Sequence, residues 1–197
     1  MPSYRDGDWN SAHTRFVSYL RLHRDMLDVM DGHWEGLRQT EFKFIMEDIA
    51  PQFRMLAEGR ECDDLRQRIR SSNLSPEEVE ATEKVIDSLQ GVIDARANPR
   101  TRYHVLCSWA GVIGRPFLKI LEAGRPEALA VLAYYFLALH YYREMWMMGS
   151  VGQHLLTLLF DHFRGGEWAA WVEIPYRMLH ESLENSQAIP EAGNNSA

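Results

Sequence analysis

The run ALAVLAYYFLALHYY, residues 128–142, constrains this chain more than any other feature. It is apolar on every face and is bounded by Glu127 and Arg143. A helix without a polar stripe belongs either among other helices or in a membrane. The run is shorter than the roughly 20 residues a bilayer core requires, and it carries a histidine and four tyrosines. The expectation is a buried helix at the centre of a helical domain, opened by Pro126 and reaching to about residue 148.

The remaining apolar residues also recur at helical spacing. A helix is expected over about residues 11–31, with Phe16, Tyr19, Leu20, Leu27 and Met30 on one side. Phe42, Ile45 and Ile49 suggest a second before Pro51, and Phe53, Met55 and Leu56 a short third piece. A charged helix follows over about 62–70. The sequence SPEE gives the clearest start: Ser75 as cap, Pro76 at the first position and Glu78 to close a capping box. Two helices should meet at residues 114–116, and Gly149 and Gly152 should separate the central helix from QHLLTLLFDHF. Gly165 and Gly166 end that helix, and a last one is expected after Pro175. No alternating strand pattern occurs. The sequence therefore predicts an all-α fold, a single compact domain of about eight helices over residues 11–186, with loosely attached ends at 1–10 and 187–197.

At 197 residues the chain is long enough to bury a substantial core. Its net charge of -7 argues against a broad nucleic-acid footprint, which needs a basic face. Cys62 and Cys107 form no C-x-x-C pair, so a reducing compartment is expected, and the N-terminal stretch has no apolar core of a signal peptide.

Catalytic and metal motifs give little. His23-Arg24-Asp25 matches a kinase triplet without a glycine-rich loop or D-F-G. Asp63 and Asp64 lack the third carboxylate one turn on that a diphosphate–magnesium site needs, since Arg66 and Gln67 stand there. His154 and His162 lie about 12 Å apart along a helix, too far to share one ion. Ser150 lacks the spacing and the preceding strand of a nucleophile elbow. No catalytic residue, metal or cofactor is expected.

Three stretches carry a resemblance: RPFLKILEAGRPEALAVLAYY, MWMMGSVGQHLL and WAAWVEIP. They resemble the C-terminal regulatory region of fungal Zn(II)2Cys6 transcription factors, most nearly of the sterol uptake control type. Phe117, Leu118 and Leu121 stand before Pro126, Ala128 and Leu129. Trp146 and Gly152 fall in the family's aromatic, glycine-bearing corner, and Trp168, Trp171 and Pro175 close the pattern. LHRDM at 22–26 is similar to an upstream histidine–arginine pair. Met147, Ser150-Val151 and Ile174 depart from the pattern, leaving the corner less aromatic. The binuclear zinc cluster takes six cysteines, and two are present here.

The resemblance implies an all-α regulatory domain without its own DNA reader, acting in the nucleus or cytoplasm and switching on a hydrophobic small molecule such as a sterol or terpenoid. Gly149 and Gly152 are the candidate hinge, because glycine lets a backbone bend where a side chain would forbid it. Tyr135, Leu139, Tyr142, Met145, Trp146 and Val151 are the candidate lining of an apolar pocket. Within one continuous helix Tyr135, Leu139, Tyr142 and Trp146 share a face. Rings would supply area, and hydroxyls and the indole N–H a few anchors. Two alternatives stand beside this reading: an enzyme of fungal secondary metabolism acting on a terpenoid or polyketide in the same pocket, and a protein-interaction domain without a ligand.

Overall fold

A computed structural model describes residues 8–31, 33, 36, 59–97 and 102–187. Among the described residues there are eight α-helices and no strand. They are α1 (Trp9–Asp31), α2 (Asp63–Arg70), α3 (Pro76–Asp94), α4 (Arg102–Val112), α5 (Arg115–Glu122), α6 (Pro126–Tyr141), α7 (Val151–Phe163) and α8 (Ala169–Gln187). A 3₁₀ turn, Ala95–Ala97, follows α3. The helical pieces expected over 40–49 and 53–56 lie outside the described residues, as do the N-terminal residues 1–7 and the tail from 188.

The all-α expectation holds, with α6 in the middle. Residues 127–140 are buried without exception, and α7, α8, α3, α5 and α2 pack around the helix. Its one acidic residue, Glu127, is buried at the N-terminus and paired with Arg125 at 3.0 Å, where the helix dipole favours a negative charge.

The sequence signals near α3 act as expected. Ser75 Oγ accepts from the Glu78 N–H at 3.3 Å, Glu78 Oε2 accepts from the Ser75 N–H at 2.8 Å, and Pro76 opens the helix. A buried polar clasp then ties α2 to α3. Gln90 Oε1 accepts from the Cys62 N–H at 2.9 Å, and its amide donates to Glu61 at 2.8 Å and Asp94 at 2.9 Å. Every polar atom of this buried side chain is satisfied, as burial demands. The Cys62 thiol is buried beside it and pushed up to about 12 by loss of solvent.

Three boundaries differ from expectation. Helix α1 begins at Trp9, because the Trp9 ring is buried against His13, His162 and Phe136 at centroid distances of 5.7, 5.9 and 6.4 Å. Helix α8 begins at Ala169 and runs through Pro175. Proline withholds a hydrogen bond from the preceding turn, yet Val172, Pro175 and Leu179 form a buried row against the core that holds the helix together. Helix α6 stops at Tyr141, seven residues earlier than the apolar run suggests.

Candidate ligand-binding corner

Nothing in the local sequence stops α6 at Tyr141, since Tyr142, Arg143 and Glu144 are all compatible with a helix. The stop coincides with the close approach of α7. Gly152, in the first turn of α7, is buried against the α6 backbone. A Cβ there would collide with the His140 amide nitrogen and the Phe136 carbonyl, and would lie 2.9 Å from the Leu139 carbonyl carbon. The two backbones approach so closely only because residue 152 has no side chain.

Residues 142–150 connect the helices as successive tight turns. The Met145 N–H donates to the Tyr142 carbonyl at 3.0 Å, Met148 to Met145 at 2.9 Å, and Val151 to Met148 at 3.0 Å. Gly149 takes a positive φ of 47°, a left-handed conformation that glycine adopts without steric cost. The connection is thus compact and satisfies its own backbone.

Because α6 ends at Tyr141, Tyr142 and Trp146 do not continue the helix face that carries Tyr135 and Leu139. Tyr135 is buried and stacks on Trp109 at 3.9 Å between centroids and 15° between planes. Leu139 is buried. Tyr142 is buried too, and its hydroxyl donates to the Val92 carbonyl of α3 at 2.9 Å. Met145 is half-buried against the core. Trp146 instead points outward and is 91% exposed, with Met147 50% and Val151 43% exposed nearby in sequence. Tyr135, Leu139 and Tyr142 therefore face inward, while Trp146 and Val151 face solvent. Gly149 shapes the turn, and Gly152 spaces two helices.

Met147, a departure from the family pattern in the sequence, lies in the corner, and His140, to which the sequence assigned no role, stands just before it. A histidine inside an otherwise apolar helix was the available signal for His140. His140 is fully buried, with Nε2 3.3 Å from Ser182 Oγ on α8 and 3.4 Å from an Arg143 nitrogen. Both side-chain contacts of the ring are made at Nε2, and Nδ1 is buried with no hydrogen-bond partner among the described residues. Burial, and then the Arg143 charge, push the imidazole down to about 4, so it is neutral at physiological pH.

Elsewhere the charged side chains pair with one another. Asp63 binds Arg66 at 3.0 Å and Asp64 binds Arg68 at 2.6 Å on the outer face of α2. Among the described residues no three histidine, cysteine, aspartate or glutamate side chains converge as a metal site, and no helix is long and apolar enough to cross a membrane.

No family model matches the chain, and no solved structure matches it. The chain is 21% identical over 195 residues to a Zn(2)-C6 fungal-type transcription factor of Gibberella zeae. The alignment covers 94% of this chain and 38% of that protein, so the chain spans well under half of its relative's length. The similarity thus runs through nearly the whole of this chain, beyond the stretch around residues 102–180 where individual motifs are recognisable, and it supports a likeness to Zn(2)-C6 fungal-type factors in the broad sense.

Proposed function

We propose that this chain is a regulatory domain of the transcription-factor type, and that the corner at residues 142–152 takes a hydrophobic effector of sterol-like size. The observation that carries this reading is Trp146. An indole that is 91% exposed on a well-bonded turn contributes nothing to the core, while its area and single N–H suit it to cover an apolar molecule and anchor one hydroxyl. Met147 and Val151 extend the apolar surface, and Met145 joins it to the core. Methionine side chains adapt to irregular shapes, which fits an effector of undefined outline.

In this reading Tyr135, Leu139 and Tyr142 form the rigid wall behind the site, with Tyr142 held by α3. Gly149 is the place where the turn can rearrange. Gly152 keeps α7 seated while it does so. An effector that prefers one arrangement of the turn shifts the population towards it, and α7 and α8 carry the change outward. Similarity to a Zn(2)-C6 fungal-type transcription factor supports a role in transcriptional regulation, and with it action in the nucleus or from the cytoplasm.

The test is titration of the chain with a 3β-hydroxysterol, following tryptophan emission and the melting curve. Binding at a hundredfold excess over Kd stabilises by about 2.7 kcal/mol, which raises the melting temperature by roughly 5–10 °C. The emission change should disappear in Trp146→Phe. An unchanged melting curve with sterols and terpenoids alike would overturn the effector reading.

A second reading is favoured by the same exposure. Trp146 is the kind of residue that anchors a protein interface, and its outward direction suits a flat partner as well as a small molecule. A partner whose affinity falls with Trp146→Ala, in the absence of any lipid effect, would establish it.

A further inference from the structure

His140 is the next-to-last residue of α6, and its ring is buried completely. Two side chains meet the ring at Nε2: Ser182 of α8 at 3.3 Å and Arg143 at 3.4 Å. Arg143 belongs to the turns of residues 142–150, and Gly152 of α7 is seated against the His140 amide nitrogen. The residue thus stands at the base of the corner, where the turns, α7 and α8 come together. Nδ1 is buried and meets no hydrogen-bond partner among the described residues. Buried nitrogens are rarely left so.

The corner offers an effector's hydroxyl two partners, and they differ in what they gain. A polar group that already meets water exchanges one hydrogen bond for another when it binds a ligand. A buried group without a partner gains the whole bond. The indole N–H of Trp146 is of the first kind, since that residue is 91% exposed, and His140 Nδ1 is of the second. The ring is neutral at physiological pH. A neutral imidazole presents at Nδ1 either an N–H or a lone pair, according to its tautomer. A hydroxyl both donates and accepts, so it matches either form. A carboxylate only accepts, and it carries a charge that burial penalises.

We propose that His140 Nδ1 is the polar anchor of the corner and takes the single hydroxyl of an otherwise apolar effector, while Trp146 covers the hydrocarbon body. The inference rests on the effector reading of the corner and names the group that sets its selectivity. Because Nδ1 is enclosed when the corner is folded, the hydroxyl reaches it only as the turns shift. Anchoring and rearrangement are then one event, and the effector favours the shifted arrangement through this bond.

The experiment compares a 3β-hydroxysterol with its 3-deoxy analogue by equilibrium titration of the full chain. The parent should bind the hydroxysterol about tenfold more tightly, the worth of one hydrogen bond to a buried neutral group. His140→Phe should bind the two alike, while Trp146→Phe should keep the preference. In the parent carrying 15N-labelled histidine, the Nδ1 resonance of His140 should move with the hydroxysterol and stay in place with the deoxy analogue. That measurement decides the matter even where His140→Phe does not fold. If neither sterol binds, the effector reading falls and this inference with it. If the parent binds both equally, if the preference survives in His140→Phe, or if the Nδ1 resonance does not move, His140 is not the anchor and the effector reading stands without it.

Discussion

Helix α6 and the turns that follow it are built from the same kinds of residues and meet opposite fates. Tyr134, Tyr135, Phe136 and Leu137 are buried on every side, while Trp146 and Met147, one short helix length later, stand in solvent. The difference lies in their neighbours. Five helices surround α6, whereas in the corner Tyr142, Met145 and Met148 reach the core and Trp146 and Met147 do not. Burial is decided by where the backbone is allowed to go, and hydrophobicity alone does not decide it.

The strongest way to break this comparison is to truncate an aromatic side chain on each side of it. Phe136→Ala should destabilise the chain by about 3–5 kcal/mol in denaturant unfolding, because a fully buried ring leaves a cavity that its neighbours cannot fill. If Phe136→Ala cost less than Trp146→Ala, the contrast between core and corner would be gone.

Acid tests the junction between the two regions. In the unfolded chain His140 takes up a proton near its ordinary 6.5, while in the folded protein burial holds it at about 4. Between those values the unfolded state binds more protons, so the stability that the neutral ring contributes is complete above about pH 6.5 and is lost as pH falls towards 4. The loss amounts to an order of 3 kcal/mol for a shift from 6.5 to about 4. Melting curves across that range should fall more steeply in the parent than in His140→Gln, and parallel curves would show that His140 is not the group responsible.

Tyr142→Phe is a smaller probe of where the corner begins. Its hydroxyl meets the Val92 carbonyl in the core, so removal should cost about 0.5–1.5 kcal/mol of stability even without a ligand. An unchanged melting temperature would place that hydroxyl outside the core network. Trp146→Ala should have the least effect, within about 0.5 kcal/mol, as expected of an exposed side chain away from caps and buried networks. A larger loss would mean that the corner is covered and belongs to the core.

The sequence by itself determined the helical class, the place of α6 and the start of α3. Those features rest on interactions within a few residues: an apolar run with no polar face, and the reciprocal bonds of Ser75 and Glu78 around Pro76. Local chemistry is sufficient there because the partner groups are close along the chain. The candidate site was legible only as a stretch. Its membership followed from a helix assumed to continue to residue 148, and the pairing of Tyr135 with Trp109, of Tyr142 with Val92 and of His140 with Ser182 joins residues distant in sequence. Pro175 shows the same limit in reverse, since a residue that usually starts or ends a helix lies inside α8 and is held by the buried row around it. Only the tertiary structure could decide that Gly152 is a spacer between two backbones and that Trp146 points away from the core. The first depends on how near α7 comes to α6, and that distance is set by packing across the whole domain.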